Sequence, residues 1–422
     1  TLDIPSGNQG QSTFNLALNE DSSNGPARHV FFHNLTLDSE GTENNTYTMQ
    51  GAITCTNNLT ITDGEISCNS NNLTVTGVTS IGPGSGGSDQ ATLTCSSGTM
   101  SFGSGITSSF GVIVNQGGTF TGGTGAHTMG SFEVKNNSNA KMTMTSGECT
   151  IDSEKSGDNR AILVETNATF DNNDGTIKIT HAGDTDIEFK SGTTSPKCPH
   201  NLTIDKSNND VITHGDLRID NNLFIKIVDT SHSMRPSSAS DTLTVIGDVT
   251  LNKGKLGATT NYTSAISFGS LTIDADGEYI ATSGTTTITG ENGDFALNND
   301  GTFTHNNGKV NITTANTVID ITGTSGNLYD LEINGLVQIP SGTHTIDNNV
   351  TVASGHTFST NNLSTSLTVL GNVNVSGTFW RTDNSGTVTL GGLTINSGGL
   401  YRATNATTIM KGALRNLGGT IT

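Results

Sequence analysis

Three groups of carboxylates stand close enough in the chain to share a site: Asp171 with Asp174, Asp274 with Asp276 and Glu278, and Glu291 with Asp294. Paired carboxylates are the machinery of glycoside hydrolysis. One protonates the leaving oxygen, and the other attacks the sugar or activates water across a gap of about 5 to 9 Å. Each group here lies in a Gly- and Asn-rich stretch, where Asp folds back onto its own backbone as a turn former. A chain with 5% aromatic residues also has few platforms for sugar rings. All three groups are expected to be turn residues, and the chain is not expected to be an enzyme.

Metal chemistry fares no better. Asp171-Asn-Asn-Asp-Gly175 and Asp274-Ala-Asp-Gly-Glu278 share the oxygen-rich start of a calcium loop but lack the Glu at its twelfth position. The 10 His are scattered, and His33, His200 and His305 each precede an Asn at a strand start, which reads as turn and surface use. Gly82-Pro-Gly-Ser-Gly-Gly-Ser88 has neither the Lys nor the helix of a phosphate cradle. No Ser/His/Asp or Cys/His arrangement emerges. No catalytic, cofactor-binding or metal-ligating residue is assigned, and no cofactor is expected.

The elements that would position such residues are legible from internal repeats. Leu243-Thr-Val-Ile-Gly-Asp-Val-Thr-Leu251 matches Leu367-Thr-Val-Leu-Gly-Asn-Val-Asn-Val375, and His200-Asn-Leu-Thr-Ile204 matches Tyr329-Asp-Leu-Glu-Ile333. A more diverged copy begins at His33-Asn-Leu-Thr-Leu37. Anchored on Asn34, Asn201 and Asp330, the copies are unevenly spaced, the first being longer than the second. Within each, runs of three to six residues alternate apolar side chains with Thr or Asn and close on Gly, Asn or Asp-Gly. This is period-two strand chemistry with corners that accept left-handed backbone. A short helical start near Phe14–Leu18 is the one exception expected.

Such short strands suit a solenoid whose coils stack like on like, with Asn ladders at the turns, better than a chain of sandwiches. The expected fold is all-β: a right-handed parallel β-solenoid (β-helix) built from three diverged super-repeats, at about 20 to 25 residues per coil, the hand following that of parallel crossovers. A thin core of small and β-branched residues, without aromatic packing, is expected. Residues 1–29 read as an N-terminal cap or connector, 30–196 as the first and longest repeat, 197–326 as the second and 327–422 as a truncated third. Because the chain begins at Thr1 and ends inside a repeat, it reads as part of a longer polypeptide.

Cys55, Cys68, Cys95, Cys149 and Cys198 are odd in number and form no Cys-x-x-Cys motif. They are expected to be small buried side chains; a bridge between neighbouring coils, if one forms, is placed at Cys55 and Cys68. The Asn-x-Ser/Thr sequons at Asn34, Asn58, Asn72, Asn201 and Asn311 are what abundant Asn and Thr produce by chance.

Composition narrows the partners. With 38 acidic and 19 basic residues the net charge is −19, so binding that works by neutralising phosphates is excluded and nucleic acid is not a partner. Charged residues are 14% of the chain against about 25% in an average soluble protein. No run approaches the roughly 18 apolar residues of a membrane span, so no membrane insertion is expected within this chain.

The modules Gly301-Thr-Phe-Thr-His-Asn-Asn-Gly-Lys-Val-Asn-Ile312, Tyr329-Asp-Leu-Glu-Ile-Asn334 and Leu367-Thr-Val-Leu-Gly-Asn-Val-Asn-Val-Ser-Gly-Thr-Phe379 resemble repeats of virion structural and fibre proteins of marine tailed bacteriophages; similar repeats occur in bacterial surface adhesins. The resemblance covers most of residues 30–422. It implies a displayed, non-catalytic, extracellular solenoid: a phage virion appendage or fibre contacting the host surface. A bacterial cell-surface adhesin or surface-filament subunit is the alternative, and a polysaccharide-active β-helix enzyme the third reading. The partners implied are other copies of the chain, other virion or surface proteins, and host surface glycan or protein. Contacts would use the excursions at Gly82–Gln90, Ser153–Arg160 and Asp229–Ser240, because corners vary while stacked coils do not.

Overall fold

A computed structural model of the chain describes residues 2–3, 13–16, 29–39, 45–83, 90–190, 197–257, 262–290, 295–323, 326–360, 364–381, 386–403 and 407–422. The carboxylates Glu291 and Asp294, most of the 82–90 excursion and most of segment 1–29 lie outside these residues. Two units divide the chain, Thr1–Asp220 and Asn221–Thr422.

In the first unit the coils from Val30 to Asp171 each lay down three strands, and successive coils pair in parallel strand on strand. Ile53–Cys55, Leu59–Ile61 and Gly64–Ser67 are followed by Leu73–Val75, Thr79–Ile81 and Ala91–Thr94 in the same three positions. This is a parallel β-solenoid. Coil length varies with the corners: the step from Leu59 to its partner Thr79 is short, whereas the step from Thr79 to Val112 is more than half as long again. The long coil, which includes the corner between Phe102 and Val112, goes beyond the coil length expected.

Alternation places every second side chain inside. Leu37, Ile61, Ile81, Val114, Val134 and Val164 face one another rung by rung and are all buried. Each such burial is worth about 1.5 to 3 kcal/mol, and stacking like on like keeps the β-branched rotamers compatible from coil to coil. Aromatic rings take the same positions. Phe132 and Phe170 stack at 6.1 Å, and Phe102, Phe120 and His127 meet edge to face. The core is therefore partly aromatic, contrary to the expectation from composition. A 5% aromatic content suffices because most of the Phe sit on inward parity, while Trp380 is 39% exposed.

The second unit repeats the pattern, again with coils of unequal length, as the steps from Leu331 to Val350 and from Leu223 to Val249 show. Among the described residues, four strands exceed the three to six residues read from the sequence: Asp248–Leu256, Ser270–Ile280, Thr365–Val375 and Val388–Ile395. They pair two by two, and in each pair the register shifts midway, so one continuous strand serves two faces. Near the start of the chain, Thr13–Leu16 is a strand paired with Thr46–Met49, not the helical start expected at Phe14–Leu18. Thr-Phe-Asn-Leu has period two, and an available edge outweighs a single turn of helix.

Strand starts share one device. The side-chain oxygen of the Asn before the strand accepts a backbone N–H of the next coil: Asn34 from Asn58 (3.1 Å), Asn58 from Val78 (2.9 Å), Asn72 from Thr99 (2.9 Å) and Asn349 from Asn372 (2.9 Å). The Asn ladders expected at turns exist, and three of the five sequon asparagines are their rungs.

Candidate functional site

The carboxylate groups separate once placed. Asp171 accepts the N–H of Asn173 in an Asx turn, and Asp174, at φ 54°, points to solvent within 3.4 Å of His200 Nδ1. These are the turn residues expected. Asn172 and Asn173 between them are tied to the neighbouring coils through Cys198 O and Met144 O. Asp274, Asp276 and Glu278 are not in a turn: they lie within the strand Ser270–Ile280. Parallel pairing there sets Asp276 opposite Lys253 and Glu278 opposite Lys255, with N–O separations of 3.5 and 3.1 Å, while Asp274 accepts from Asn252. The strand continues because each carboxylate finds a partner on the adjacent rung, which removes the need for an Asp turn. Among the described residues no group of three or more His, Cys, Asp or Glu is arranged to hold a metal ion.

The excursions differ from one another. Ser153–Arg160 is a short looped-out segment closed by an antiparallel bridge between Lys155 and Arg160. Ser153 and Ser156 anchor it to Ile106 O and Thr107 O of an earlier corner. Asp229–Ser240 is not wholly an excursion, because Ser233–Pro236 is a strand paired with Lys255 and Leu256, and Met234 is buried. An apolar Met on inward parity pulls that part of the segment into the stack.

Two polar assemblies stand out. The first surrounds Lys206, a buried lysine whose Nζ donates to Gly183 O (2.6 Å), Thr185 Oγ1 (3.1 Å) and Asp210 O (3.3 Å). Burial pulls its ammonium down to about 8, against the pull of Asp184, Glu154 and Asp210. Burial likewise pushes Glu154 up, and Glu154 Oε2 lies 3.8 Å from His181 Nε2. A depressed lysine beside a raised carboxylate is the kind of pair that acid–base chemistry uses. Here, however, all three ammonium donors are spent on the corner. Lys206 satisfies carbonyls that the turn leaves open. Arg381 does the same in the second unit, donating to Gly386 O, Thr407 O and Thr408 Oγ1.

The second assembly is an open recess of about 430 Å³ in the second unit, lined by His305, Asn306, Asn307, Asn327 and Asp347 among others. Asn307 N–H donates to His305 Nδ1 (2.9 Å), which leaves Nε2 to carry the proton toward Asp347 Oδ2 at 3.4 Å. Asn327 donates to the other carboxylate oxygen (2.8 Å), and the Tyr329 ring lies against the imidazole at 5.2 Å. The ring is thus held in one tautomer and one orientation. The arrangement offers a polar, solvent-facing concavity.

Sequence reasoning passed over Lys206, Arg381, His127 and His344. The signal was present: Lys206 has the parity of Leu202 and Ile204, Arg381 that of Phe379, His127 that of Met129 and His344 that of Ile346. The five cysteines are free and buried, as expected, but Cys55 lies opposite Val75 and Cys68 opposite the residue after Thr94, so the Cys55–Cys68 bridge has no geometric basis. No family model, curated protein or solved structure matches the chain, so the parallel β-solenoid stands on its own strand pairing.

Proposed function

We propose that the chain is a non-catalytic, extracellular structural and adhesive solenoid, part of a tailed-phage virion appendage or fibre that contacts the host surface. The observation that carries this reading is the use made of the polar groups. Asp276, Glu278, Lys206, Arg381 and the sequon asparagines Asn34, Asn58 and Asn72 are all engaged between coils or at corners. A stack whose charges are committed to holding rung on rung is a scaffold, and the surface left for partners is its corners and recesses. The repeat resemblance supports display on a virion, and the acidic, weakly charged surface supports solubility at high local density.

Electron microscopy of the native particle, at a resolution that follows the backbone, tests the reading. A solenoid standing on a capsid or tail is expected. A continuous filament or stalk on a bacterial surface would overturn it in favour of an adhesin, and release of reducing sugar from host polysaccharide by the purified chain would overturn its non-catalytic character.

A further inference from the structure

Two cysteines well separated in sequence, Cys68 and Cys95, become neighbours in the first unit. Gly64–Ser67 and Ala91–Thr94 pair in parallel with Ser67 opposite Thr94, and the residue that follows each strand is a cysteine. The ladder runs on through both. Cys68 N–H donates to Thr94 O (2.8 Å), and Cys95 N–H donates to Thr121 O (2.7 Å). Both side chains are buried, and the neighbouring Cys68 adds to burial in pushing the Cys95 thiol up. Parallel strands lie about 4.8 Å apart, inside the window of about 4.4 to 6.8 Å between Cα atoms that a disulfide spans. The rungs of Cys55 and Cys149 offer no such partner: Cys55 stands between Phe32 and Val75, and Cys149 between His127 and Ile177.

We propose that Cys68 and Cys95 are a modification site, oxidised to an intercoil disulfide that clamps one coil of the solenoid to the next. With a small-molecule disulfide such as glutathione disulfide as oxidant, one cysteine thiolate attacks the S–S bond, forms a mixed disulfide and expels one glutathione thiolate. The second cysteine thiolate attacks the protein sulfur of that mixed disulfide and expels the other. Two electrons pass from the cysteine pair to the oxidant, and the two thiol protons end on two glutathiones. The bridge closes a loop of the size for which removing unfolded-state freedom stabilises a fold. It does not depend on where the chain is displayed, since location sets only which redox state prevails.

The test holds the full chain natively in a glutathione redox buffer and, in parallel, refolds it from denaturant into the same buffer, so that burial of the thiols does not limit access. Remaining thiols are alkylated and the peptides mapped by mass spectrometry. One bridge joining Cys68 to Cys95 and three alkylated cysteines are expected, with a melting temperature several degrees above that of the reduced chain. Cys68→Ser and Cys95→Ser each abolish the bridge, and Cys55→Ser retains it. Five alkylated thiols under both regimes, or a bridge that uses Cys55, Cys149 or Cys198, overturns the proposal, and the map of the unsubstituted chain decides this even where a variant fails to fold.

Discussion

The side-chain oxygen of Asn222 accepts the backbone N–H of Asp248, one coil on, at 2.8 Å. The residue before that donor is Gly247, and a Cβ there would stand 2.4 Å from the same Asn222 oxygen. Asn349 and Gly371 repeat the relationship, as do Asn58 and Gly77, with 2.8 and 2.3 Å between the Asn oxygen and the absent Cβ. At Gly247, Gly371 and Gly77 the Gly is therefore a steric requirement. In these three pairs the Asn of one coil reaches up where the coil above has no side chain, whereas Asn58, the donor to Asn34, follows Asn57.

Asn222→Ala is expected to lower stability by about 1 kcal/mol, the usual worth of one such bond, by leaving the Asp248 N–H unpaired. Asn58→Ala should behave alike, and chemical denaturation of each variant measures it.

Gly247→Ala is expected to cost more than the loss of its Asn partner, about 1 to 3 kcal/mol, because the new methyl group meets Asn221 O as well as the Asn222 side chain. In the double variant Asn222→Ala/Gly247→Ala the two effects should be less than additive, since the first substitution removes one of the clashes.

His127 introduces a pH dependence. Burial lowers its pKa from 6.5 to about 4, so the folded chain resists a proton that the unfolded chain takes up. Its contribution is complete above pH 6.5 and is lost as pH falls toward 4, by up to roughly 3 kcal/mol for a shift of that size. Melting temperatures across this range should fall less steeply for His127→Leu than for the unsubstituted protein.

Lys206 acts at the other end of the scale. Its folded pKa is lowered from 10.5 to about 8. Between these values the unfolded state holds the proton and the folded state releases it, so the lysine's contribution to stability rises with pH from about 8 to 10.5. Lys206→Met should remove that rise. It should also lower stability at pH 7 by about 1 to 3 kcal/mol, because the carbonyl of Gly183 loses its donor.

Glu278→Gln is expected to change stability by less than about 1 kcal/mol, because its pairing with Lys255 is partly solvent-exposed. Thermal denaturation at low and high salt checks this: the small difference from the unsubstituted chain should shrink as salt rises.

Local matters were legible in the chain before any coil was stacked. Alternation in Leu-Thr-Ile and Leu-Thr-Val set which side chains face the core, and Gly and Asn set the corners, so the parallel solenoid and the Asn ladders could be read from the repeats. Parity would also have shown Lys206 and Arg381 facing inward. Which residue stands on which came only from the stacking of the coils. Partners are separated by one coil, and the coils are unequal because their corners differ in length, as the short step from Leu331 to Val350 and the long one from Thr79 to Val112 show. A partner one coil away therefore cannot be counted out along the chain. That is why Cys68 meets Cys95 and not Cys55, and why Asp276 and Glu278, which look like turn residues when read in line, are paired with lysines of the adjacent rung.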